Sequence, residues 1–146
     1  MTATPLDQMI MKAGVANVNV SAKSGRSTDA GIAILRDIRP QSGTVVMALG
    51  TNDFWLGQSA FAAKIDTAMA LVPSTVDVYW VNLYMGSDYA YGQINRAIDE
   101  RASHYSNLTV IDFESIASAS WLAGDNVHFG STGYTARAEQ IVSAVS

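Results

Sequence analysis

Thr44-Val45-Val46-Met47-Ala48-Leu49-Gly50-Thr51-Asn52-Asp53 is the stretch whose reading decides the fold. From Thr44 to Leu49 it is a continuous apolar run, without the alternation of a half-exposed strand. A short run of this kind reads as a strand covered on both faces, which belongs to a parallel sheet flanked by helices. Gly50 to Asp53 then turns the chain at the carboxyl end of that strand, the edge at which open α/β sheets bind ligands.

Working outward, the same reading finds further strands at Val15–Val20, Val76–Leu83 and Leu108–Phe113. Thr4-Pro5-Leu6-Asp7 combines a cap, a first-turn proline and an acid, so it opens a helix to about Ala13. Thr28-Asp29 caps another through Ile38, with Ile32, Leu35 and Ile38 at helical spacing and Arg39-Pro40 as its stop. Further helices are expected from Ser59 to about Leu71, from Gly92 to His104, and from Ser131 or Thr132 to Val145, with a less regular stretch over Ser115–Gly124. Strict alternation of strands and helices implies right-handed crossovers: one α/β domain over residues 1–146, a parallel sheet with four strands and helices on both faces.

Composition agrees with one packed domain: 146 residues, 49% hydrophobic and 15% charged, with three Trp, six Tyr and four Phe. Nine Lys plus Arg face thirteen Asp plus Glu, a net charge of −4 with no basic cluster, so no nucleic-acid partner is expected. The apolar runs are too short to span a bilayer, and a soluble domain without a membrane partner is expected. The absence of cysteine excludes disulfides, thiolate nucleophiles and cysteine zinc sites. No basic segment followed by an apolar one begins the chain, so no signal peptide is expected in these residues, and the compartment stays open.

Two places have the residues for chemistry. Asp125-Asn126-Val127-His128 puts an acid three residues before an imidazole, directly ahead of the last helix. An aspartate bonded to one ring nitrogen fixes the tautomer and leaves the other nitrogen free to take a proton. A surface acid beside a capping histidine is the structural alternative. Asn52 follows a buried strand, where its amide can donate to a developing oxyanion, and Gly25 offers a backbone N–H at the same edge. The alternative there is a strand-to-helix turn chosen for conformational tolerance. Phe54, Trp55, Tyr84 and Tyr89 follow strand ends and line an acyl or sugar pocket, or else cover the core. Trp80, Tyr79 and Phe113 belong to the core, and His104 suits a helix end. Three carboxylates and one His near the crevice suit no metal, and no cofactor is expected.

Ala22–Gly25, Val45–Asp53 and Asp125–His128 occur in the order and rough spacing of blocks two, three and five of the SGNH (GDSL-type) hydrolases, and the chain resembles that family from Thr2 to Val145. The resemblance implies a three-layer α/β/α, flavodoxin-like sandwich. It makes Gly25 and Asn52 the oxyanion donors, Asp125 the orienter and His128 the base of an esterase of small esters or carbohydrate O-acetyl groups. The stretch from Asn95 through Asp112 to His128 is similar to SGNH domains associated with acyltransferases and carbohydrate O-acetyl chemistry. Members of the family are often secreted or periplasmic.

The departure lies in block one, a buried strand ending in Gly-Asp-Ser whose serine is the nucleophile. No Gly-Asp-Ser occurs in the 146 residues, and Thr2 to Leu6 resembles what would follow it. Ser21, Ser24, Ser27 and Ser131 are the hydroxyls near the right edge, with Ser24 favoured because it adjoins Gly25. As written, the chain is expected to be an inactive or impaired esterase, its substrate a small acyl ester or acetylated carbohydrate. The alternative is a non-catalytic structural or partner-binding protein that reuses the fold. The missing strand would sit between Val15–Val20 and Thr44–Leu49, so these two pair directly or a homo-oligomer or strand-donating partner fills the gap.

Overall fold

The computed structural model describes residues 19–23 and 25–146. In chain order these form α1 (Thr28–Ile38), β1 (Thr44–Met47), a 3-10 turn (Thr51–Asp53), α2 (Gln58–Met69), β2 (Asp77–Val81), α3 (Gly92–His104), β3 (Leu108–Ile111), α4 (Phe113–Ile116), a second 3-10 turn (Ala119–Trp121) and α5 (Ser131–Val145). The expected helix Thr4–Ala13 lies outside the described residues, as does most of the strand expected at Val15–Val20. Asn19 and Val20, which are described, belong to no strand.

The three described strands are parallel in the order β1-β2-β3, with Val45 opposite Val78, and Trp80 opposite Val110. Each is shorter than its apolar run. Ala48, Leu49 and Leu83 lie beyond the ladder, while the Asn82 N–H still donates to Ile111 O at 3.1 Å, and Phe113, expected in a strand, begins α4. The two faces alternate as the pleat requires. Met47, Val78, Trp80 and Leu108 pack with α1, α2 and α3, while Val81 and Ile111 pack with Phe113 and Ile141 of α5. Helices therefore cover both faces of the sheet, giving the three-layer α/β/α sandwich that strand–helix alternation implies.

Local chemistry sets the boundaries. Ser27, not the expected Thr28-Asp29, caps α1 by accepting from the Ala30 N–H at 3.2 Å, and Arg39, at φ 46°, ends it just before Pro40. Arg101 and the Tyr105 hydroxyl both reach Asp66, at 2.9 and 2.6 Å, joining α3 to α2. Beyond the ladder, buried side chains take over from strand partners. The Trp80 indole, fully buried and edge-on to Phe61, donates to Leu49 O at 3.1 Å. Asn95 accepts from Leu83 N–H at 2.8 Å and donates to Leu83 O at 2.9 Å, doing for that residue what a neighbouring strand would do. Asn82 donates to Asp112 at 2.8 Å and accepts from the Glu114 N–H at 2.8 Å, tying the ends of β2 and β3.

Replacing Asn95 by Leu keeps the bulk but strips both partners from buried Leu83. Asn95→Leu is expected to lower the unfolding free energy by about 2–4 kcal/mol, read as a lower urea midpoint at unchanged slope.

Candidate functional site

The loop between the second 3-10 turn and α5 carries Asp125 and His128, and the sequence Asp-Asn-Val-His shapes it from within. Asn126 takes the left-handed conformation, φ 59°, which asparagine tolerates better than most residues. That fold-back lets Asp125 Oδ1 accept from the N–H groups of Val127 and His128, each at 2.9 Å. The other carboxylate oxygen meets His128 Nδ1 at 2.5 Å. Bonding to the His128 ring, then to the two amides, pushes the Asp125 carboxyl down to about 2, so it is ionised near neutrality. Facing a carboxylate that can only accept, Nδ1 must carry the proton, and Nε2 is left as the basic nitrogen of the neutral ring. Both side chains are about half exposed, within reach of a ligand from solvent.

The second half of the site lies at the end of β1. Gly25 is exposed, at φ 73°, with no atom of the described residues within 4 Å of where a Cβ would stand. Asn52, in the 3-10 turn, donates through Nδ2 to Arg26 O at 3.0 Å, and Asp53 Oδ2 accepts from the Thr28 N–H at 2.6 Å. Two bonds thus stitch the Gly-Thr-Asn-Asp turn to the Gly25–Thr28 segment and hold Gly25 and Asn52 on neighbouring strands of chain. One N–H of the Asn52 amide is committed to Arg26, and the amide has a second. Gly50 makes the turn possible at φ 129°, where a Cβ would also crowd Ile94 and Phe61 at 3.1 and 3.2 Å.

Between the halves runs the loop after β2, and here structure adds what sequence reasoning missed. Gly86 donates its N–H to Asn126 O at 2.8 Å, and an added Cβ would meet Asn126 Cβ at 2.5 Å. Only glycine permits this approach. The Tyr89 hydroxyl donates to Asp125 O at 3.2 Å, and its ring stands edge-on to Phe54 at 5.1 Å, two residues after Asn52. Phe54 and Tyr89 therefore link the asparagine turn to the histidine loop. On the far side, Leu122 and Phe129 form an antiparallel bridge, and Phe129 packs against Phe113 and Tyr134. Gly86 stood in the sequence as part of a glycine-containing loop, and its partner is forty residues away, beyond any local pattern.

Of the candidate hydroxyls, Ser27 is the α1 cap and Ser21 Oγ accepts from Arg26 at 3.1 Å. Ser24 lies outside the described residues. Ser131 begins α5. Among the described residues, the one side-chain partner of the His128 ring is Asp125, no group of three or more His, Asp or Glu is arranged to hold a metal ion, and no helix is long and apolar enough to cross a membrane.

No family model and no curated protein matches the sequence. Solved structures do match. The C-terminal catalytic domain of Streptococcus pneumoniae peptidoglycan O-acetyltransferase A, determined with a methylsulfonyl adduct, superposes with a TM-score of 0.75 at 22% identity, over 97% of this chain and 86% of that one. A carbohydrate esterase of family 3 from Talaromyces cellulolyticus superposes with a TM-score of 0.72 at 17% identity, over 97% and 91% of the two chains. The chain accordingly shares the fold of these two domains.

Two outcomes test this geometry. Gly86→Ala is expected to push Asn126 aside and cost about 1–3 kcal/mol of stability by thermal or urea unfolding, with the His128 ring resonances shifted in NMR spectra. The second concerns pH. Because the folded Asp125 carboxyl titrates near 2, below the ordinary aspartate range, the native loop binds fewer protons than the unfolded chain between those values. Its stabilising contribution is complete above the ordinary range and is lost as pH falls through about 2. The amide shifts of Val127 and His128 should titrate with that low midpoint; a midpoint in the ordinary aspartate range would mean that the carboxylate does not hold them.

Proposed function

We propose that the chain carries the acid–base and oxyanion parts of an acyl-ester hydrolase of the SGNH kind, acting on small esters and O-acetyl groups of carbohydrate. The observation that carries this reading is the Asp125–His128 pair: a carboxylate ionised near neutrality, locked by two backbone amides and bonded to Nδ1. In the reaction it supports, His128 Nε2 takes the proton of a hydroxyl as that oxygen attacks the ester carbonyl carbon. The same proton then passes to the departing alcohol oxygen as the ester bond breaks. Asp125 keeps the ring in register and stabilises the imidazolium formed between those steps. The Gly25 N–H and the second N–H of Asn52 receive the negative charge on the carbonyl oxygen. Water then repeats the cycle on the acyl intermediate and releases the acid.

The carbohydrate part of the reading draws on the two similar folds, a peptidoglycan O-acetyltransferase and a carbohydrate esterase. The attacking hydroxyl is the serine of a Gly-Asp-Ser segment, which the 146 residues do not contain. The other residues this reading uses, Gly25, Asn52, Asp125 and His128, lie within them.

The test is hydrolysis of 4-nitrophenyl acetate by the 146-residue chain and by a version extended upstream with a strand ending in Gly-Asp-Ser. The chain alone should stay near background, the extended chain should turn over, and His128→Ala in the extended chain should lower its rate by roughly 10²- to 10⁴-fold. Silence from both chains would instead favour a binding or structural protein that reuses the fold.

A further inference from the structure

We infer that Trp55 is the stacking platform for a pyranose ring of the acylated saccharide, an assignment that rests on the carbohydrate-ester reading of the site. The tryptophan stands three residues after Asn52, just beyond the 3-10 turn at the end of β1. Its neighbours Phe54 and Leu56 fold inward and pack on the core, whereas Trp55 turns outward and keeps 65% of its surface exposed. Among the described residues it is the one exposed Phe, Tyr or Trp, and it presents a flat apolar face to solvent beside two partly buried neighbours.

Among the described residues the ring has one aromatic neighbour, through which it connects to the histidine loop. It stands edge-on to Phe54 at 5.4 Å, Phe54 stands edge-on to Tyr89 at 5.1 Å, and the Tyr89 hydroxyl reaches Asp125 O. A chain of aromatic contacts thus runs from the exposed indole to the backbone of the histidine loop.

Chemistry selects the occupant. A lipid or long acyl chain needs a contiguous apolar surface, yet the exposed large apolar side chains among the described residues are Ile38, Trp55 and Ile116, each on a different element. Around Trp55 the turn is polar. Exposed Asn52 precedes it, and the Gln93 amide oxygen accepts from the Gln58 N–H at 3.3 Å just after it. One flat aromatic face flanked by amides matches a sugar ring, which offers an apolar C–H face to stack and hydroxyls around its rim to bond.

The experiment is titration of tryptophan fluorescence with chitopentaose, on the wild-type chain, Trp55→Ala, Trp55→Phe and the remote surface variant Ile38→Ala. Trp80 is fully buried and Trp121 half-buried, so Trp55 is the solvent-facing reporter. Wild type and Ile38→Ala should bind alike, Trp55→Phe should retain most of the affinity, and Trp55→Ala, followed by NMR, should lose at least about tenfold. Undiminished affinity in Trp55→Ala would overturn the assignment. So would a wild-type chain that ignores chitopentaose, whether or not it binds phosphatidylcholine vesicles instead. Because binding requires no nucleophile, these results are separable from the ester assay: saccharide held by Trp55 without turnover of the extended chain would sink the esterase reading alone.

Discussion

Buried backbone groups that have left the sheet still need partners, and the molecule is organised around meeting that need with side chains. The regular ladder covers only Thr44–Met47, Asp77–Val81 and Leu108–Ile111. Just beyond it, the Trp80 indole holds Leu49 O, the Asn95 amide holds both backbone groups of Leu83, and Asn82 binds the start of α4. An unmet buried amide or carbonyl costs about as much as a sizeable share of a domain's stability, so these contacts are obligatory. Each one fixes the point from which a site loop departs.

From those points the site is assembled in two halves that share no local sequence. One is the Gly-Thr-Asn-Asp turn, tied to Arg26 and Thr28 through Asn52 and Asp53. The other is the Asp-Asn-Val-His loop, closed on itself by a carboxylate that accepts from three N–H groups. The loop after β2 joins them, through Gly86 to Asn126 and through Tyr89 to both Phe54 and Asp125. The consequence is a half-exposed imidazole whose orientation depends on residues far away in sequence. Because both side chains of the pair are about half exposed, their rigidity comes from hydrogen bonds rather than from burial.

The fold was legible in the chain because local patterns determine it. The apolar runs at Thr44, Val76 and Leu108 marked the strands, and the spacing of Ile32 and Leu35 with Arg39-Pro40 placed α1 at its observed bounds. Strand ends were overestimated, since an apolar run records burial and not ladder pairing. Leu49 and Leu83 are apolar because they pack on the core, not because they pair with a neighbouring strand. The Asp125–His128 pair was legible for a related reason: three residues and one asparagine with a tolerance for positive φ close it locally.

What the sequence determined by itself, then, is the layering of helices on a parallel sheet, the turn that ends β1, and the acid–imidazole pair. All of these follow from periodicity or from contacts within a few residues. Tertiary structure alone decided that Asn95 serves Leu83, that Gly86 must be glycine because Asn126 lies against it, and that Trp55 faces outward while Phe54 and Leu56 face in. Those outcomes depend on which distant surfaces the folded chain presses together, and no local pattern encodes that.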